Sequence, residues 1–193
     1  MAYALTDTKE WMDNIAPREA RQRNAAPVSN RATKWSPPTS DWLKCNYDAS
    51  HHPGNTVSGL GWLFRNSNGT VLECGMGQLQ GRMTAEEAEC SALIWAIQAA
   101  NAYGYTKVIF EGDNININRL INQKSPHPRL QHSLDTIHSW IPTFTSVKFI
   151  FKHREQNACA DLLAKKAISS DFHWSLFYSC PYFLSYLVNM DIS

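Results

Sequence analysis

The chain has 193 residues, of which 44% are hydrophobic and 18% are charged. This composition is typical of a globular domain and too rich in apolar residues for a disordered, collagen-like or coiled-coil chain. Lys and Arg number 18 against 17 Asp and Glu, which gives a net charge of +1, so any binding of nucleic acid must depend on local basic clusters.

The first 36 residues differ in pattern from the rest of the chain. A short helix is predicted around residues 7–16, and the stretch after it is rich in Pro, Arg, Asn and Ala without an apolar period, as is typical of a linker. We therefore predict a partly disordered arm and linker at 1–36 and a folded domain at 37–170. The tail at 171–193 is rich in aromatic residues, and the sequence leaves its structure undecided.

Three strands are predicted at the start of the folded domain. The first alternates with a period of two residues, which is typical of a strand, and the dipeptide Asn68-Gly69 between the second and third is a typical hairpin turn. The three segments are WLKCNYDAS, VSGLGWLFRN and TVLECGMGQ. Short connections of this kind predict an antiparallel meander.

Helices and strands alternate in the second half of the domain. Thr84 and Glu87 have capping-box spacing before a long helix that ends at Gly104. After it we predict, in order, the strand KVIFEGD, the helix NININRLINQ, a helix from Leu130 to Trp140, the strand SVKFIFK and the helix EQNACADLLAKKAIS. Strands separated by helices pair in parallel. We therefore predict an α/β fold with a five-stranded mixed sheet, three strands antiparallel and two parallel, and helices on both faces.

Four acidic residues occupy positions that are unusual for a purely structural role: Asp48, Glu89, Asp113 and Asp161. Asp48 lies in mid-strand, where Asp is disfavoured, and Glu89 lies on the apolar stripe of the long helix. Asp113 could instead be a helix N-cap, and Asp161 could be a solvated helix residue. The predicted sheet directs all four toward one crevice beside the first strand. Converging carboxylates repel one another unless a cation compensates, and oxygen ligands favour Mg²⁺ or Mn²⁺.

Five segments, taken in order, resemble the type 1 ribonuclease H domain. More narrowly, they resemble the plant ribonuclease-H-like domain at the end of non-LTR retroelement reverse transcriptases. The segments are KCNYDAS, GLGWLFRNSNG, AECSALIWAI, VIFEGDN and REQNACADLLAKKA, and the similarity extends from about Trp35 to Ala167. The resemblance implies a ribonuclease H-like fold and a metal-dependent endonuclease that hydrolyses the RNA strand of RNA–DNA hybrids. It also implies an origin in a retroelement, with an earlier fusion to a reverse transcriptase domain.

The resemblance further implies a set of metal ligands. The family's Asp-Glu-Asp-Asp site corresponds to Asp48, Glu89, Asp113 and Asp161, which would hold two Mg²⁺ or Mn²⁺ ions. Glu86 and Glu87 are rivals for the second position. The family pattern Ala-Glu-x-x-Ala-Leu is met by residues 88–93 and not by either alternative.

Other residues are candidate contacts to the substrate. The last strand and helix are locally basic, which suits phosphate binding, although a solvated face explains these charges equally well. Thr84 could bind a phosphate at the helix start or could only cap the helix. His153 lies where type 1 enzymes often have a mobile catalytic His. The candidates for nucleic-acid binding are Thr84, Arg154, Asn157, Lys165 and Lys166, and Asn157 also fits the family pattern before the last Asp.

Two other functions compete with the nuclease. One is a catalytically silent nucleic-acid-binding or interaction module with the same fold. The other is a 3′→5′ exonuclease on a related fold, but this would require Asp-x-Glu in the first strand, which Asp48-Ala49-Ser50 lacks. The complete set of four carboxylates favours the nuclease, with an RNA–DNA hybrid as its partner.

Cysteine use and hydropathy bear on the location of the protein. The five cysteines are scattered without metal-ligand spacing, so we expect neither a disulfide framework nor a zinc site. The sequence shows no apolar run of membrane-spanning length and no recognisable leader. We therefore expect an intracellular monomer, in the nucleus or the cytoplasm and without a membrane partner.

Overall fold

The computed structural model describes residues 34–192, and the predicted arm helix at 7–16 and most of the predicted linker lie outside the described residues. The strands are β1 (Leu43–Ser50), β2 (Val57–Arg65), β3 (Val71–Gln80), β4 (Lys107–Gly112), β5 (Ser146–Phe151) and β6 (Trp174–Phe177). The helices are α1 (Ala85–Ala102), α2 (Ile115–Gln123), α3 (Gln131–Trp140), α4 (Ala158–Ile168) and α5 (Tyr182–Ile192), with short 3₁₀ turns at Ile141–Thr143 and Arg154–Gln156.

The strands form one mixed sheet in the order β5-β4-β1-β2-β3-β6. Strands β1, β2 and β3 form the predicted antiparallel meander, and β4 and β5 pair in parallel on the other side of β1. The turn between β2 and β3 contains Gly69 with a φ of 76°, a conformation that glycine adopts at little cost. The predicted α/β fold with a mixed sheet is confirmed.

The number of strands differs from the prediction, because the sheet has six strands and not five. The additional strand β6 comes from the aromatic tail and pairs antiparallel with β3, where Trp174 lies opposite Gly77. A Cβ atom at Gly77 would overlap the indole ring of Trp174, so the glycine makes room for this strand. A four-residue strand is too short for its residue pattern to predict it. Its pairing partner also lies about 100 residues earlier in the chain, so no nearby residue marks it.

Two apolar clusters cover the two faces of the sheet. Helices α1, α2 and α3 bury residues such as Leu93, Ile117 and Ile137 on one face. On the other face, α4 and α5 bury Leu163 and Leu184 among the residues of the second cluster. Helices therefore lie on both faces, as predicted. No helix between residues 34 and 192 combines the length and the hydropathy required to cross a membrane.

Candidate active site

Three carboxylates meet beside the centre of the sheet. Ligand oxygens of Asp48, Glu89 and Asp113 all lie within 4.8 Å of one another. Asp48 lies on β1, and Asp113 directly follows the adjacent parallel strand β4, so the pairing of Asn46 with Glu111 brings the two to the same level. Glu89 reaches this point from the second turn of α1. Side-chain burial is deep, with relative exposures of 1% for Asp48 and 8% for Glu89.

The burial of these acids has a large electrostatic effect. Desolvation, reinforced by the charge of Asp113, raises the pKa of Asp48 to about 7. Desolvation together with the charges of Asp48 and Asp113 raises the pKa of Glu89 well above its usual range. Burial also raises the pKa of Asp113, although Arg154 opposes this effect. The surrounding side chains therefore do not compensate the negative charge that three ionised carboxylates would have at neutral pH.

The unpartnered oxygens of this group fit a hard divalent cation. Both carboxylate oxygens of Asp48 and one of Glu89 are inaccessible to solvent, and their only hydrogen-bond partner among the described residues is a proton shared between these two acids. Buried polar atoms are nearly always satisfied in folded proteins. A donor set made only of carboxylate oxygens suits Mg²⁺ or Mn²⁺, and a cation here would also lower the raised pKa values.

The fourth predicted ligand, Asp161, lies outside this close group of three. Its carboxylate is 2.6 Å from Lys165 Nζ and 3.9 Å from Arg154 Nη2. Nε of the same Arg154 is 3.5 Å from Asp113, so the arginine bridges Asp161 and the group. Asp161 is still close enough for its charge to raise the pKa of Asp48. The Arg154 side chain is 71% exposed and can move away at little cost.

The helix N-caps show which acidic residues are free to act as metal ligands. The N-cap of α2 is Asn114 and not Asp113, because the Asn114 carboxamide accepts the free backbone N–H groups of the helix start. The interpretation of Asp113 as an N-cap is therefore wrong. At the start of α1, Thr84 and Glu87 form the predicted capping box. Glu87 is thus occupied with the helix terminus, and Glu86 does not join the close group of three.

Four of the candidate substrate residues, His153, Arg154, Lys165 and Lys166, are exposed, whereas Asn157 is buried and cannot contact a nucleic acid directly. His153 is exposed, and its ring packs edge-on against Phe151 with the ring centroids 5.2 Å apart. Lys165 faces Asp161, as described, whereas Lys166 lies 4.9 Å from the ring centroid of Phe183 on α5. The two lysines therefore point toward different partners. The roles proposed for these residues in catalysis and nucleic-acid binding stay predictions.

A buried polar network below the carboxylates did not follow from the sequence. Glu111 is fully buried, forms an ion pair with Lys44 at 2.9 Å and accepts the indole N–H of Trp35 at 3.1 Å. Asn157 is also buried, and its amide donates to the backbone oxygen of Tyr47 at 2.9 Å. The alternation of Lys44 and two further polar residues along β1 is the signal that could have indicated this network.

Comparison with known proteins identifies relatives of this arrangement. Residues 46–167 match the family model described as reverse transcriptase-like. No curated protein sequence gives a significant match. The family match begins two residues before Asp48 and ends six residues after Asp161, so it includes all four predicted acidic ligands.

Several solved structures share the fold. RNase H1 from the archaeon Halobacterium salinarum is 22% identical with a TM-score of 0.62, covering 66% of this chain and 98% of that one. LC11-RNase H1, solved in complex with an RNA/DNA hybrid, is 23% identical with a TM-score of 0.59, covering 66% and 96% respectively. A foamy viral protease-reverse transcriptase bound to double-stranded DNA is 20% identical with a TM-score of 0.52, covering 65% and 92%.

Proposed function

The chain belongs to the reverse transcriptase-like family and has the fold of type 1 ribonuclease H domains, and we propose on this basis that it is a metal-dependent endonuclease. Its substrate would be the RNA strand of RNA–DNA hybrids. The observation that carries this proposal is the group formed by Asp48, Glu89 and Asp113, whose ligand oxygens lie within 4.8 Å of one another. None of the described basic side chains contacts the carboxylate of Asp48.

The residues of the chain have distinct tasks in this proposal. Asp48, Glu89 and Asp113 would hold Mg²⁺ or Mn²⁺, with Asp161 available at the rim. When bound, such cations supply the charge that activates water and stabilises the leaving 3′-oxygen of a phosphodiester. Because the pKa of Asp48 is about 7, the metal-free site retains part of a proton at neutral pH, and cation binding displaces it. Burial keeps competing water away from the ligand oxygens.

Two features support an RNA–DNA hybrid as substrate. The related LC11 enzyme was solved with such a hybrid. The exposed side chains of Arg154 and Lys165 lie beside Asp113 and Asp161, where they can meet phosphate groups. Discrimination between nucleic acids would then depend on groove shape and 2′-hydroxyl contacts and not on base sequence.

Cleavage by the purified chain tests the proposal directly. We expect Mg²⁺-dependent cleavage of the RNA strand in a labelled hybrid, with no cleavage of duplex DNA or duplex RNA. Glu89→Gln should abolish this activity, and the matched variant Glu86→Gln should retain it, because Glu86 lies outside the close group. Hybrid binding without cleavage would support a silent binding module instead. Equal activity in the two variants would refute the assignment of the ligands.

A further inference from the structure

A fully buried arginine lies behind the candidate active site, at the end of β2. The guanidinium of Arg65 is 0% exposed, and its Nη1 lies 2.6 Å from a carboxylate oxygen of Asp191 on α5. Its Nη2 donates to the side-chain oxygen of Asn46 on β1 at 2.8 Å. The indole ring of Trp35, in the segment that leads into β1, stacks on the guanidinium with Cζ 3.5 Å from the ring centroid. One side chain thus joins four parts of the fold.

From Asn46 the hydrogen bonds continue to the strand and helix that carry two of the acids. The Asn46 amide donates to the side-chain oxygen of Asn157 at 3.2 Å, and the Asn157 amide donates to the backbone oxygen of Tyr47, the residue before Asp48. The backbone oxygen of Asn157 accepts the N–H of Asp161 at 3.1 Å. The pair of asparagines therefore fixes the distance between β1 and the start of α4.

Stability alone does not account for Arg65. A buried ion pair loses hydration that its mutual attraction only partly recovers, and apolar side chains of similar volume often replace such pairs without loss of stability. The Nε atom of Arg65 has no hydrogen-bond partner among the described residues, which adds to this cost. What an apolar side chain cannot do is orient the carboxamide of Asn46.

We propose that Arg65 is a positioning residue of the candidate active site, held in place by Asp191. By orienting Asn46, it fixes the relation between the element that carries Asp48 and the element that carries Asp161. The last helix, α5, is then part of the catalytic unit, although it contributes no ligand. This proposal deepens the proposed function and rests on it for its kinetic consequences, whereas its consequence for cation binding can be measured separately.

Three variants test the proposal. Arg65→Met removes the donors while keeping much of the volume, and Asp191→Asn removes only the charge that anchors Arg65. Leu134→Ala is the control, because it creates a cavity in the apolar cluster on the other face of the sheet. For each variant we would measure urea unfolding, Mn²⁺ binding by calorimetry without nucleic acid, and kcat and KM for hybrid cleavage.

We expect Arg65→Met to weaken Mn²⁺ binding and to lower kcat by about tenfold or more, the usual effect of removing a group that orients metal ligands. KM for the hybrid should stay within about threefold in this comparison, and Asp191→Asn should show a smaller change in the same direction. Leu134→Ala should lose stability but keep Mn²⁺ affinity and kcat. The proposal is overturned if Arg65→Met also keeps both.

Other outcomes are equally decisive. If Arg65→Met does not fold, Asp191→Asn decides, and unchanged Mn²⁺ affinity and kcat in that variant overturn the proposal. If the wild-type chain binds Mn²⁺ but does not cleave the hybrid, the proposed function fails, and Mn²⁺ affinity alone then decides the role of Arg65. A wild-type chain that does not bind Mn²⁺ refutes both proposals.

Discussion

Asp48→Asn should make the metal-free protein more stable at neutral pH. The pKa of Asp48 is raised from 3.8 to about 7 in the folded chain, and a shift of this size corresponds to about 4 kcal/mol of destabilisation once the carboxylate is ionised. Asp48 and Glu89 titrate as an interacting pair, so part of this free energy belongs to Glu89 and not to Asp48 alone. The value of about 4 kcal/mol is therefore an upper value for the gain in stability. The amide of Asn has the same shape and can donate a hydrogen bond to Glu89.

The sign of the pH dependence follows from the direction of the shift. Well below pH 3.8 the carboxyl group is protonated in both the folded and the unfolded chain, so it imposes no electrostatic cost. Between about pH 4 and pH 7 the unfolded chain ionises first, and the wild-type protein loses stability relative to Asp48→Asn. The difference between the two proteins should therefore be small at pH 4 and largest at pH 7 and above.

Urea unfolding followed by circular dichroism between pH 4 and pH 8 measures this difference. Asp41→Asn is a suitable control, because Asp41 is exposed and its hydrogen bond with Lys107 lowers its pKa; we expect no gain at pH 7 for that variant. Saturating Mg²⁺ should stabilise the wild-type chain, by about 2.7 kcal/mol at 100 times Kd, and should not stabilise Asp48→Asn. Loss of stability in Asp48→Asn at pH 7, or a gain that is as large at pH 4 as at pH 7, would refute the reasoning.

Two further predictions concern the rim and the arm. Lys165→Gln should reduce the salt dependence of hybrid binding by about one unit in log K against log salt, whereas Lys166→Gln should change it less because Lys166 lies over Phe183. Binding titrations at several salt concentrations measure both slopes, and equal slopes would contradict this distinction. Deletion of residues 1–33 should leave the thermal midpoint and hybrid cleavage unchanged, whereas deletion through Trp35, which contacts buried polar groups, should lower the midpoint.

Local signals in the sequence were sufficient for most of the secondary structure. The capping box of Thr84 and Glu87 marks the start of α1, and Gly104, with a φ of 75°, follows its end. Such signals act within a few residues and do not depend on the rest of the fold. Strand β6 lacks any such signal, because its four residues are ordered by the edge of β3 and not by their own pattern.

The candidate site was predictable in its topology and not in its fine geometry. The parallel pairing of β1 with β4 brings Asp48 and Asp113 together, and helical periodicity places Glu89 over them. The separation of Asp161 depends on the side-chain positions of Arg154 and Lys165, which no periodicity encodes. The role of Arg65 was equally hidden, since its anionic partner lies 126 residues later in the chain.

Neighbouring buried acids in this fold differ in whether a basic side chain neutralises them. This difference supports an external cation as the missing partner of Asp48 and Glu89. Glu111 is fully buried among the described residues, and the ammonium of Lys44 neutralises its charge while the indole N–H of Trp35 donates a hydrogen bond to it. Close by, Asp48 on β1 and Glu89 on α1 are also buried, yet neither forms an ion pair with a described side chain, whereas the one Glu111 oxygen that lacks a hydrogen bond lies 2.9 Å from Lys44 Nζ. Since the fold provides partners for one buried carboxylate, the lack of them at the next is not a general shortage of donors. The cost of leaving these oxygens unpaired is understandable if they are ligands for a cation that arrives from solution.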